Sequence, residues 1–301
     1  MAPTQSDSSK VGICNSRKCR DHDGGRYRRL IIGGKRSHRT HVQRVAFVGT
    51  EPTASMDIPL SKLDHRPWPL PRGPWIMAQV WHDLLFAHWP IAPEVIRPLV
   101  PPALTLDTFE GQAWLGVVPF RMSGVRLRGT PALPYFSAFP ELNVRTYVTH
   151  GNKPGVWFFS LDATNFAAVV AARLWFHLPY FHAAMSLVEK DGWISYSSRR
   201  IHRGAPRASF EGRYRATGTV FEAGRGTLEH WLTERYCLYA ESSQRIYRSE
   251  IHHQPWPLQA AETAMVTNTM TATMKVDLPG IPPLLHFAKF QEVRVWAPVQ
   301  A

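Results

Sequence analysis

From Trp68 onward, apolar residues recur in short continuous or alternating runs broken by Pro and Gly, a spacing that favours strands and turns over long helices. Eight runs have strand character: 113–122, 142–148, 156–162, 192–197, 213–220, 236–241, 245–252 and 292–296. Turn signals such as Lys190-Asp191-Gly192 join several of them, which predicts a mainly β (α+β) fold built as an antiparallel β-barrel. Three segments interrupt this rhythm. Residues 165–176 are small and apolar and are closed by Pro179, Thr227 can cap a helix carrying Leu228, Trp231, Leu232 and Arg235 at i, i+3, i+4, i+7, and Pro93 can open a short helix through Arg97. No internal repeat of solenoid or propeller period is present.

Residues 1–55 differ in texture. They are rich in Arg, Ser, Gly and His, show apolar clustering only at 42–48, and are expected to form a disordered basic extension, with Met56 as an alternative start. Residues 56–301 are expected to fold as one domain. The formal charge of +12 has its largest source in the extension, where 11 Lys/Arg face 4 Asp/Glu; this leaves +5 for the domain. That distribution gives no reason to expect nucleic-acid binding by the folded part, although a run such as Arg26-Tyr27-Arg28-Arg29 could act as a basic arm. No apolar run approaches the ~20 residues of a membrane span; the best, 166–172, is stopped by Arg173. Cys14, Cys19 and Cys237 are too few for a disulfide framework, and no secretory signal is evident, which fits a reducing cytoplasmic setting. Homo-oligomer formation is compatible with the sequence.

Three segments in order resemble the acetoacetate decarboxylase superfamily: Pro71-Arg72-Gly73-Pro74-Trp75, the stretch Ile96 to Leu104 with its Arg97-Pro98 and Pro101-Pro102, and Arg173 to Pro179. Closer still is an uncharacterised bacterial family within that superfamily, the YqjF-like domain of unknown function. Its hallmarks are read in His88-Trp89-Pro90, in Phe139 to Val148 (FPELNVRTYV) and in Leu232 to Tyr239 (LTERYCLY). The match covers roughly Trp68 to Val299 and implies a cone-shaped barrel with a few short helices around an internal cavity, holding a small-molecule ligand. Decarboxylases carry a lysine pair directly after the Pro of the third segment, the first step of a Schiff-base mechanism. Here Tyr180 and Phe181 stand in its place, so the resemblance implies a kept scaffold with changed chemistry, and fold alone does not assign a function.

Candidate chemistry concentrates in two places. Strand alternation puts Glu141, Asn143, Arg145 and Tyr147 on one face and Leu142, Val144, Thr146 and Val148 on the other. A carboxylate, an amide and a guanidinium along one face can bind a polar ligand, with Glu141 moving a proton and Asn143 and Arg145 gripping an oxygen anion. The resemblance adds that a glutamate matching Glu141 belongs to the decarboxylase active site. The plainer alternative is a solvated face on which Glu141 and Arg145 form an ordinary ion pair.

At the altered lysine position, Tyr180 offers a hydrogen-bond donor or weak acid, or a merely packed phenol. Arg173, on an otherwise apolar helix, is either the end of an amphipathic face or a buried charge needing a carboxylate such as Glu141 or Glu234, as anion anchor or as a structural pair. His177, flanking the motif, is a further substrate-binding candidate. The 14 histidines include His177/His182 and His252-His253, but neither pair has two-ligand spacing, so no metal and no cofactor are expected. The function expected is thus an enzyme for a small carbonyl or carboxylate compound lacking the Schiff-base lysine; a non-catalytic barrel for an apolar or keto-acid ligand is the alternative.

Overall fold

In the computed structural model the described residues are 60–134 and 136–301; the predicted extension 1–55 and the start at Met56 lie outside them. Thirteen strands and three short α-helices make up this part. The strands are β1 (Met77–Ile91), β2 (Thr105–Leu106), β3 (Ala113–Leu127), β4 (Phe139–His150), β5 (Lys153–Ala163), β6 (Tyr180–Lys190) and β7 (Trp193–Arg200), then β8 (Ser209–Phe221), β9 (Cys237–Ser242), β10 (Arg245–His252), β11 (Leu258–Asn268), β12 (Leu284–Val295) and β13 (Val299–Gln300). The helices are α1 (Pro93–Ile96), α2 (Phe166–Trp175) and α3 (Leu228–Thr233).

All strands belong to one sheet of order β13-β10-β9-β5-β6-β7-β8-β11-β12-β1-β3-β4-β2, and an additional β4–β5 pairing brings the ladder from β5 through β12, β1 and β3 back to β5. Most neighbours are antiparallel. The exceptions are β5–β6 and β5–β9, which pair in parallel; the first is joined by a crossover through α2, as a parallel connection requires.

The helix ends follow from local chemistry. Asn165 caps α2 by accepting from the Ala168 amide at 3.1 Å, and Thr227 caps α3 by accepting from the His230 amide at 3.3 Å. Pro93 opens α1, which passes into a 3-10 turn at Arg97–Leu99.

Strands β1, β3 and β4 are buried on both faces, so one layer of sheet serves two cores. Leu85, Ala87, Leu115, Val117, Leu142 and Val144 turn to one core; Leu84, Phe86, Val118, Phe120 and Phe139 turn to the other. Burial on both faces also explains why the alternation of β1 was not legible: 77–91 reads as a mixed run containing His82, Asp83 and His88. Two left-handed residues, Asp83 (φ 54°) in β1 and Gly124 (φ 59°) in β3, reset the parity of their strands. Asp83 is held by Arg121 Nε at 2.7 Å and Lys289 Nζ at 2.7 Å, while the Tyr214 hydroxyl donates to its carbonyl at 2.8 Å. As a result Gln79 and Trp81 before the bulge and Leu84 and Phe86 after it all reach the same enclosed space.

Candidate functional site

That space is a cavity of about 420 Å³ between β1, β3, β4 and β5, roofed by α2. The side of the roof that lines the cavity is made of small side chains, Ala167, Ala168, Ala171 and Ala172 recurring at helical spacing, of which Ala167 and Ala171 stay exposed. Phe166, Val170 and Leu174 occupy its exposed outer side. The walls are mostly apolar, with Trp81, Phe86, Phe120, Met122, Phe158 and Leu161 among them.

Of the predicted polar residues, Glu141, Asn143, Arg145 and Tyr180 line the cavity together. The alternation of β4 puts the first three there, and the even residues Leu142, Val144 and Val148 go to the opposite core. Glu141 is 3% exposed and makes no ion pair with Arg145. The outer-face alternative is therefore not the geometry found. The Tyr180 hydroxyl donates to Glu141 Oε2 at 2.7 Å, and the Tyr196 hydroxyl donates to the Glu141 main-chain carbonyl at 2.7 Å. Burial pushes the Glu141 carboxyl up to about 8, and the nearby charge of Asp162 adds to the rise while the Tyr180 hydrogen bond works against it. Burial and the neighbouring carboxyl likewise hold the Tyr180 phenol well above its ordinary value. At neutral pH, Glu141 is thus a protonated acid in contact with a phenol that stays protonated.

Arg173 and His177 do not line the cavity. The expected buried Arg173 with a carboxylate partner is corrected: it is exposed, one residue past the inward Ala172 and hence about 100° around the helix, and its Nη1 donates to the Tyr180 carbonyl at 2.8 Å. Glu234 instead accepts from the Tyr236 hydroxyl and from the Trp256 amide. His177 takes a left-handed conformation (φ 56°) where the chain leaves α2, with its ring 5.0 Å from that of Tyr247. Phe181, next to Tyr180, packs under the Arg200 guanidinium at 4.0 Å, and Arg200 makes a buried bidentate pair with Asp162 at 2.7–3.1 Å. Tyr180 therefore faces the cavity and Phe181 braces an ion pair behind it.

Sequence reasoning missed Arg235, Trp256, Trp81 and Gln79, which also line the cavity. Arg235 falls within the Leu232–Tyr239 stretch, but only the positions of β1 and of the turn before Trp256 could show that it belongs to this site. Among the described residues, no lysine lines the cavity and no group of three or more His, Cys, Asp or Glu is placed to hold a metal. No helix among them is long and apolar enough to cross a membrane.

The stability of the fold should report the Glu141 proton. The folded state holds this proton up to about pH 8, whereas an unfolded chain releases it near 4.5, so between those values folding binds protons and stability falls as pH rises. The gap corresponds to at most about 5 kcal/mol. Replacing Glu141 by Gln is expected to remove this dependence, making the variant gain on the wild type by a few kcal/mol between pH 5 and pH 9 in urea unfolding. Parallel pH profiles for the two proteins would contradict the buried acid.

The fold is that of acetoacetate decarboxylase-like proteins. Acetoacetate decarboxylase from Legionella pneumophila superposes with a TM-score of 0.55 at 10% identity, covering 79% of this chain and 93% of that one. The enduracididine biosynthesis enzyme MppR, solved with the condensation product of pyruvate and imidazole 4-carboxaldehyde, gives 0.52 at 10% identity over 76% and 90%. Such low identities establish a shared fold only. The chain itself belongs to the DUF2071 family, described as an uncharacterized conserved protein, whose pattern matches residues 78–292. Uncharacterized protein YqjF of Bacillus subtilis (strain 168) is 47% identical to it over 227 residues, 75% of this chain and 93% of the relative.

Proposed function

We propose that this protein is an enzyme that transfers a proton on a small carbonyl or carboxylate compound without forming a covalent amine adduct. The single observation that carries this is the Glu141–Tyr180 pair: a carboxyl held near neutrality by burial, hydrogen-bonded to a phenol, and facing a largely apolar cavity. An acid whose proton is exchangeable close to working pH suits general acid–base catalysis, and burial with a defined partner is how proteins tune one. In this reading Glu141 gives or takes the proton at a carbon or oxygen beside the carbonyl, the Tyr180 hydroxyl donates to the oxygen that gains negative charge, and Asn143 and Arg145 orient the anionic end. MppR, solved with pyruvate, supports a keto-acid class as a starting point.

The test is proton exchange. In deuterated water, 2-oxooctanoate or 2-oxodecanoate incubated with the protein should lose its C3 proton signal in NMR faster than in buffer. A protein that binds these acids yet leaves every exchange rate at the buffer value would favour the non-catalytic binding reading, which the predominantly apolar lining supports.

The altered motif makes a second expectation. Tyr180 and Phe181 occupy the lysine positions, and the domain lysines Lys62, Lys153, Lys190, Lys275 and Lys289 all lie away from the cavity lining. Lys153 pairs with Glu250 at 2.7 Å and Lys289 with Asp83 at 2.7 Å. A phenol cannot form an imine, so borohydride treatment with acetoacetate should leave the intact mass unchanged. A stoichiometric adduct on one domain lysine would return the chain to the Schiff-base mechanism.

A further inference from the structure

We propose that the substrate is an amphiphilic monocarboxylate, its carboxylate held by Arg145, Arg235 and the indole N–H of Trp256, and its apolar body lying along the cavity toward Glu141. This deepens the functional reading above and rests on the same cavity being the substrate site. Three buried donor atoms of cavity-lining residues have no acceptor: Nε of the half-buried Arg145, and Nη2 of Arg235 and Nε1 of Trp256, both buried. Arg235 is 5% and Trp256 3% exposed, so solvent does not satisfy them. Unpaired buried donors cost free energy, and a buried cation costs more, which makes an anion the ligand group that relieves all three at once.

The donors share one corner of the cavity. The guanidinium carbons of Arg145 and Arg235 lie 5.7 Å and 4.8 Å from the Tyr147 ring centre, Arg145 is 5.3 Å from the Phe86 ring, and Phe86 meets Trp256 edge to face at 4.9 Å. The charge there is not balanced by protein. Arg235 gives one nitrogen to Asp107 at 2.6 Å and another to the Trp231 carbonyl, but among the described residues no carboxylate pairs with Arg145. One carboxylate therefore brings this corner to neutrality.

The size of the ligand follows from β4. Glu141 and Arg145 are four residues apart on one strand, roughly 13 Å along it, with Asn143 midway between them, and the apolar part of the lining includes Trp81, Phe86, Phe120 and Phe158. A keto acid of three or four carbons cannot engage the Arg145 corner and the Glu141–Tyr180 pair together. A carboxylate with a six- to ten-carbon apolar body spans both and suits a cavity of about 420 Å³.

Calorimetric titration of the full chain with octanoate, octan-1-ol, octylamine and pyruvate tests this. Octanoate is expected to bind at least tenfold more tightly than octan-1-ol or pyruvate, with octylamine weakest. Trp256→Phe removes the N–H together with part of the buried indole, so octan-1-ol serves as the control for lost packing: octanoate should weaken threefold to tenfold more than octan-1-ol does. Arg145→Met should weaken octanoate at least tenfold; Arg235→Lys, which retains a charge opposite Asp107 if Arg235→Met fails to fold, should weaken it similarly. Equal binding of octanoate and octan-1-ol, or octanoate binding unchanged within twofold in both Trp256→Phe and Arg145→Met, would overturn the proposal. The two readings fail separately: Glu141-dependent proton exchange without octanoate selectivity removes the carboxylate subsite and spares the catalytic reading, whereas selective octanoate binding with no exchange on any keto acid does the reverse.

Discussion

Asp162→Ala is expected to destabilise the protein by about 3–5 kcal/mol, the range for stranding one member of a buried ion pair. Asp162 is fully buried and Arg200 5% exposed, and the guanidinium reaches both carboxylate oxygens, so its loss leaves a cation with no solvent to accept it. The effect should be largely reversed by Asp162→Leu combined with Arg200→Met, because removing both charges removes the desolvation penalty with them. Urea unfolding of the single and double variants measures this. A single variant within 1 kcal/mol of wild type would show that the pair is dispensable, and with it the bracing role of Phe181. Asp162 also helps to raise the Glu141 carboxyl, so Asp162→Asn should bring that group down toward its ordinary range.

Glu141→Gln is expected to lower enzyme-dependent exchange of keto-acid protons by 10²–10⁴-fold, the usual contribution of a positioned general acid or base. Gln keeps the size of the side chain and a carbonyl for the Tyr180 hydroxyl, but cannot release a proton at any accessible pH. Tyr180→Phe should act differently. It removes the hydrogen bond that lowers the Glu141 carboxyl, so the alkaline shoulder of the pH–rate profile should move upward while a smaller rate loss, of roughly tenfold, accompanies it. NMR exchange rates from pH 6 to pH 10 decide both, and a Gln variant with wild-type exchange would remove Glu141 from the chemistry.

The polar face of β4 was legible because its alternation is regular: Glu141, Asn143 and Arg145 share a parity that no local rule contradicts, and the structure sends all three to the cavity. The helices were legible through the small apolar run closed by Pro179 and through the cap at Thr227. Strand β1 was not, because both faces are buried and the bulge at Asp83 breaks its period. Strands β6 and β11 were likewise unread; each mixes exposed apolar residues, Val188 and Val266, with polar ones. Arg173 was misplaced because sequence shows an arginine among alanines without showing which side of the helix is roofed. Arg235 and Trp256 reach the cavity through long-range packing, α3 and the 253–257 turn meeting β1 and β4, which residue spacing does not encode.

The central claim is that Glu141 carries a proton near neutrality inside the cavity. Carbon-13 NMR titration of glutamate-labelled protein, with Glu141→Gln to assign the resonance, tests it most directly. The carboxyl is expected to stay protonated through pH 7, to titrate at about 8 and to move to still higher pH in Tyr180→Phe. A Glu141 resonance that titrates near 4.5 and is indifferent to Tyr180 would contradict it.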